Sequence, residues 1–253
     1  MQSYSKMILS SFQRLDASPK NLTETKLYSL IGVDEINFPQ IVIFDYNDTL
    51  VDSWPIALKV FNDCLIHLGH RPMTPAEQYA LPYIPDPELL SIITSKPLNK
   101  TYKIYDKFYN CHHKRPDPPI KGAVDLLTYL KEEHVDLILI SNKPSKLLHK
   151  TLRQMKWDMF DSVIGAGDLS VTKPDPKVVE LAIKGKKVAS KEIWFVGDAY
   201  TDMQCASGSN VFPIWVKEKA KGNFILSKDG IRLFAVENLR DLLNLLKDLK
   251  KGT

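Results

Sequence analysis

Residues 41–50 read Ile41-Val42-Ile43-Phe44-Asp45-Tyr46-Asn47-Asp48-Thr49-Leu50. Four apolar residues, three of them β-branched, give way abruptly to acids and an amide, the pattern of a buried parallel strand feeding a loop. Similar runs recur at 135–140, 163–164, 193–196 and 213–216. Between them, apolar residues fall at three-four spacing over 123–133 after Gly122, over 145–155 and over 176–183. Strand alternating with helix predicts an α/β fold on a parallel sheet. The chain closes on an amphipathic helix over 239–249, with leucines at 239, 242, 243, 245, 246 and 249.

The alternation breaks between Asp52 and about Pro119, where helical patterns at 56–68 and a Tyr-rich stretch at 102–109 occur without a convincing strand. Asp52-Ser53-Trp54-Pro55 opens this interval as a turn and helix cap, and Lys114-Arg115-Pro116-Asp117-Pro118-Pro119 closes it as a proline-dense hinge. Because structureless loops beyond about 15 residues are uncommon, the interval predicts an inserted helical module. The expected organisation is an N-terminal extension over 1–40, a core made of 41–52 and 120–253, and a helical domain over 53–119. A short helix is expected at 21–29.

Composition narrows the class. At 253 residues, 44% hydrophobic and 25% charged, the chain is neither disordered nor a coiled coil, and it can bury a large core without disulfides. Lys+Arg number 34 against 30 Asp+Glu, and the excess is not gathered into a basic, aromatic-interleaved stripe, which argues against nucleic acid. Lys184, Lys186, Lys187 and Lys191, and further on Lys217, Lys219 and Lys221, read as solvated helix ends. No apolar run approaches the roughly 18 residues of a membrane span, so a soluble chain is expected. Cys64, Cys111 and Cys205 are scattered and odd in number, which suits a reducing, cytoplasmic compartment. The first fifteen residues are Ser-rich and acid-free with Lys6 and Arg14, features shared with mitochondrial targeting segments, but an ordinary extension is the favoured reading.

In an open α/β sheet, ligands bind beyond the carboxyl ends of the strands. Four strand ends carry candidate chemistry: Asp45 to Thr49; Ser141-Asn142-Lys143; a loop reaching Lys173-Pro174-Asp175-Pro176; and Gly197-Asp198 leading to Asp202. Carboxylates of Asp45 and Asp198 that converge would repel unless a cation joined them, and hard oxygen ligands suit Mg²⁺. Asp202, four residues after Asp198, could orient the metal's waters if a helix begins there. Ser141 offers a hydroxyl and Lys173 a compact positive charge for phosphate. Taken singly, each has an ordinary explanation as a cap or solvated loop residue; Asp175-Pro176 reads as an N-cap and first helical position. Cys111-His112-His113 lacks the spacing of a metal site. Trp54, Trp157, Trp194 and Trp215 read as packing residues.

In this order the motifs resemble the haloacid dehalogenase superfamily, over about 41–216, and the Ser-Asn-Lys-Pro and Lys-Pro-Asp-Pro wording looks like its phosphoglycolate phosphatase-like branch. The resemblance implies a Rossmann-like core with a helical cap inserted after the first strand, and Mg²⁺-dependent hydrolysis of a small phosphomonoester. It makes Asp45 the nucleophile that forms an aspartyl-phosphate. It places Mg²⁺ on Asp45, Asp198 and the backbone carbonyl of Asn47, with Asp202 in support. Ser141, Asn142, Lys173 and Thr49 fall to the phosphate and its loop. Oligomeric state is left open.

One position departs from the family pattern. The second Asp of the first motif, which protonates the leaving group and then activates water, is here Asn47, with Asp48 one residue later in a slot usually filled by Gly or Asn. An amide cannot serve as general acid or base. Three explanations stand: Asp48 reaches the leaving group, turnover is much reduced, or phosphate or metabolite binding persists as a regulatory function without hydrolysis. Phosphonate cleavage through Lys59, Lys96 or Lys100, dehalogenation and sugar phosphomutation rank behind ester hydrolysis.

Overall fold

The computed structural model describes residues 36–74, 77, 86–218, 223–226 and 230–251. The helix expected at 21–29, the first fifteen residues, Lys219 and Lys221 lie outside the described residues. By contacts the chain divides into two compact units, one of them Asp52–Pro118, the other 36–51 with 119–251.

The second unit is built on a seven-stranded sheet. Its strands are β1 (Ile41–Phe44), β2 (Asp136–Pro144), β3 (Ser162–Ala166), β4 (Ile193–Gly197), β5 (Phe212–Val216), β6 (Asn223–Leu226) and β7 (Arg232–Val236), in the order β3-β2-β1-β4-β5-β7-β6. All are parallel except β6, which runs antiparallel to β7 at the edge. The α/β expectation therefore holds, with β6 and β7 added beyond the strands read from sequence.

Alternate residues of the central strands feed two cores. Val42, Phe44, Leu137, Leu139 and Val196 face one layer, with Leu126, Leu127 and Leu130 from Ala123–Glu132 and Leu239, Leu242, Leu243 and Leu246 from Leu239–Lys251. Ile41, Ile43, Ile138, Ile140 and Phe195 face the other, against Val178 and Val179 of Lys177–Ala182 and Cys205 and Ala206 of Tyr200–Gly208. Strands covered on both faces must be apolar throughout, and every residue of β1 is buried. Each such side chain contributes roughly 1.5–3 kcal/mol, against about 0.5–1.5 kcal/mol net for a hydrogen bond. Packing of the strands thus fixes where their polar ends stand.

The core reaches further back than the expected boundary at residue 40. Ile36 and Phe38 pack against it, and Gln40 bonds through its backbone to Glu192 and Asp136. Trp157, Trp194 and Trp215 are buried as expected. Lys186 pairs with Asp136 at 2.5 Å.

The unit Asp52–Pro118 is helical among its described residues, with α1 (Trp54–His67), α2 (Asp86–Thr94) and α3 (Leu98–His112) packed on one another. Sequence periodicity located α1 and α3 but not α2. Tyr105 donates to Asp86 Oδ2 at 2.7 Å, and Thr101 donates to the Pro87 carbonyl at 2.8 Å, tying α3 to α2. Trp54 is 42% exposed, so it does not serve the packing role expected of it. His112 pairs with Asp63 at 2.6 Å while His113 stacks on Tyr109, so the two imidazoles do not share a ligand. Among the described residues no helix is long and apolar enough to cross a membrane.

Candidate active site

Register brings the acids together. Phe44 of β1 stands opposite Val196 of β4, and the Asp45 N–H donates to the Val196 carbonyl at 2.9 Å. Asp45 and Asp198 therefore leave adjacent strands at nearly the same height. One carboxylate oxygen from each of Asp45, Asp198 and Asp202 lies within 4.8 Å of the others.

After β1 the chain turns sharply: Leu50 and Val51 donate from their backbones to the Tyr46 carbonyl, and Asp48 N–H donates to Val51 O at 2.7 Å. Asp48 sits at φ 58°, a left-handed conformation that Gly, Asn and Asp tolerate best. Thr49, fully buried, donates its hydroxyl to Asp198 Oδ1 at 2.7 Å. The residue expected at the phosphate is thus spent on holding an acid of the cluster.

The end of β4 is equally constrained. A side chain on Gly197 would overlap the Asp202 carboxylate, so the residue before Asp198 must be glycine. Asp202 opens Tyr200–Gly208 and accepts the Ala199 N–H at 3.0 Å, capping that helix from inside. Trp215 donates to the Asp198 carbonyl at 2.7 Å.

Lys173 is the counter-charge. Its ammonium, in a residue only 6% exposed, lies 2.5 Å from Asp45 Oδ1 and 2.6 Å from Asp202 Oδ1. Asn142 holds the lysine in place: its side-chain oxygen accepts the Lys173 N–H at 3.1 Å and its side-chain nitrogen donates to the Lys173 carbonyl at 2.9 Å. The amide expected to touch phosphate is thus engaged at both ends with Lys173. Ser141 ends the apolar part of β2, buried, its hydroxyl accepting the Lys143 N–H at 3.2 Å. Lys143 was named at this strand end in the sequence but was given no role. It is buried, with its ammonium 5.3 Å from the centre of the Tyr46 ring. Its place two residues after Ser141 on one strand was the available signal.

Burial, then the neighbouring Asp45 and Asp202, push the Asp198 carboxyl well above the usual carboxylate range, against the Thr49 hydrogen bond that favours its ionised form. Burial pushes Asp202 up to about 6, opposed by Lys173 and reinforced by Asp45. Burial disfavours charge on Lys173, but Asp202 and Asp45 together outweigh it and keep the lysine protonated. Three acids share one ammonium, so the cluster would carry its full negative charge only with a divalent cation beside it. Asn47 Oδ1 adds a buried acceptor with no partner. Both Asp202 oxygens are engaged, by Lys173 and Ala199, so the free donors belong to Asp45, Asp198 and Asn47. Hard oxygens in this number fit Mg²⁺.

Residues 42–216 match the family described as haloacid dehalogenase-like hydrolase. A phosphoglycolate phosphatase of Pseudomonas fluorescens is 27% identical over 184 residues, 68% of this chain and 67% of that protein. The pyrophosphatase PpaX of Listeria welshimeri is 26% identical over 214 residues, 82% of this chain and 96% of that protein. The crystal structure of a HAD-superfamily hydrolase from Ehrlichia chaffeensis superposes with a TM-score of 0.57 at 26% identity, covering 85% of this chain and 100% of that one. With its acids, lysine and serine at the ends of adjoining strands and the match running through all of them, the chain belongs to the haloacid dehalogenase-like hydrolase family.

Proposed function

We propose that the protein is a Mg²⁺-dependent phosphatase that hydrolyses a small phosphomonoester through an aspartyl-phosphate on Asp45. The observation that carries this reading is the Lys173 ammonium set between Asp45 and Asp202 beside Asp198. A carboxylate paired with a buried ammonium is positioned to act as a nucleophile, and carboxylates form covalent phosphoryl intermediates of this kind. Relatives named phosphoglycolate phosphatase and pyrophosphatase support hydrolysis of a small phosphorylated substrate.

Asp45, Asp198 and the backbone carbonyl of Asn47 would hold Mg²⁺, whose charge would offset that of the phosphoryl oxygens. Lys173 holds Asp45 in place and offers its charge to the transferring phosphoryl group. Thr49 fixes Asp198, and Asn142 fixes Lys173. Ser141 supplies a hydroxyl at the adjoining strand end. In this reading the inserted helical unit has the cap role that the superfamily resemblance assigns to it, and the compartment is cytoplasmic.

The test is a turnover screen over phosphomonoesters with and without Mg²⁺, coupled to trapping of phosphate on Asp45. Mg²⁺-dependent release of phosphate with label on Asp45 is expected. Binding of phosphate without turnover or a covalent adduct would favour the regulatory reading that Asn47 raises.

A further inference from the structure

Resting on the phosphatase reading, we infer that the site acts on phosphoryl donors whose leaving group departs without a proton: aryl and enol esters, acyl phosphates and phosphoanhydrides rather than alkyl esters. Three observations lead there. The residue two places after Asp45 is Asn47, whose amide has no titratable proton. Its Oδ1 is buried and unpartnered, so it can accept a hydrogen bond from a hydroxyl or water but cannot take or give the proton. The three acids of the cluster are committed: Asp45 to Lys173, Asp202 to Lys173 and the Ala199 N–H, and Asp198 to the Thr49 hydroxyl; Asp48, the next acid along the chain, is the alternative the experiment separates.

The consequences differ for the two halves of the reaction. In the first, an Asp45 oxygen bonds to phosphorus, the bond from phosphorus to the leaving oxygen breaks, and that oxygen keeps the electron pair. An alkoxide leaving this way is strongly basic and needs a proton in the transition state. A phenolate, carboxylate or phosphate does not. In the second half, water attacks the aspartyl-phosphate, the bond from phosphorus to Asp45 breaks, and the water's proton passes to the released phosphate because residue 47 cannot accept it. Removal of the acid and base therefore slows alkyl ester cleavage in the first half and slows every substrate in the second. With a good leaving group the enzyme accumulates as phosphoenzyme.

General acid-base catalysis is worth about 10²- to 10⁴-fold. The full-length protein with Mg²⁺ is assayed on p-nitrophenyl phosphate, acetyl phosphate and glycerol 3-phosphate, with rapid-quench detection of the first turnover, beside Asn47→Asp. The wild type is expected to favour the first two over glycerol 3-phosphate by at least about 100-fold in kcat/KM. A burst of p-nitrophenolate stoichiometric with enzyme is also expected. Asn47→Asp should raise glycerol 3-phosphate turnover by a similar factor and suppress the burst. Comparable wild-type kcat/KM on all three, without a burst, overturns the inference while leaving the phosphatase reading intact, and it needs no variant to fold; it is also the outcome if Asp48 supplies the proton. No turnover and no phosphoenzyme with any substrate in either protein overturns both.

Discussion

Lys173 Nζ lies 2.5 Å from Asp45 Oδ1 and 2.6 Å from Asp202 Oδ1, so one buried ammonium serves two acids brought from opposite ends of the chain. Removing it leaves both carboxylates buried without a counter-charge. Lys173→Met is expected to destabilise the protein by about 3 kcal/mol. Adding Asp202→Asn to that variant should recover part of the loss, because the second change removes a stranded charge. Urea unfolding of the two singles and the double measures the coupling; strictly additive effects would contradict the shared pair.

Thr49→Val tests how Asp198 is held. The hydroxyl that donates to Asp198 Oδ1 disappears while the buried volume is nearly unchanged. Loss of an outer hydrogen bond to a metal ligand typically weakens affinity about 10- to 100-fold. Calorimetric Mg²⁺ titration should show a weakening of that order. An unchanged affinity would mean that the hydroxyl does not prepare Asp198 for a cation.

Gly165 has no room for a side chain. A methyl there would sit 2.5 Å from Ser145 Cα and 2.9 Å from its backbone nitrogen, atoms that cannot move without shifting the start of the helix Ser145–Met155. Gly165→Ala should cost about 1–3 kcal/mol by crowding, read as a lowered unfolding midpoint.

Glu77 gives the helical unit a pH signature. Arg71 donates to both of its carboxylate oxygens, at 2.8 and 2.6 Å, while Glu77 and Thr74 bond reciprocally. Chiefly through the Arg71 hydrogen bonds, the Glu77 carboxyl is pulled from 4.5 down to about 2. A depressed carboxyl stabilises the fold above its unfolded pKa, and the contribution falls away as pH drops through the folded value. Arg71 is 43% exposed, so solvent screens the pair, and about 1 kcal/mol is expected at pH 7. Relative to Glu77→Gln, that advantage should shrink from pH 4.5 and vanish near pH 2. A constant difference across this window would refute the ion pair as its source.

The apolar runs ending in Phe44, Ile140 and Val196 were legible because strands buried on both faces must be continuously apolar, and their polar successors then had to stand toward the sheet's carboxyl end. The exchange of duties around them was not legible. Thr49 serves Asp198 and Asn142 serves Lys173, and both contacts span long stretches of chain whose meeting depends on register rather than local pattern. Helix α2 escaped because Asp86–Thr94 follows a proline-rich interval and its apolar residues make only a short run. The edge strand β6 and its neighbour β7 were passed over because 217–231 mixes lysines and glycines, which masked Leu233 to Val236 as a strand. Trp54 shows the limit of composition: a tryptophan at a helix start is read as core by type alone, yet this one faces solvent.

The central claim is covalent chemistry at Asp45. The most direct measurement mixes the protein with Mg²⁺ and ³²P-labelled p-nitrophenyl phosphate, quenches in acid, and locates the label by peptide mapping in wild type and Asp45→Asn. Label on the peptide containing Asp45 in the wild type, with neither label nor Mg²⁺-dependent turnover in the variant, is the predicted result. Mg²⁺-dependent hydrolysis that persists in Asp45→Asn would contradict it.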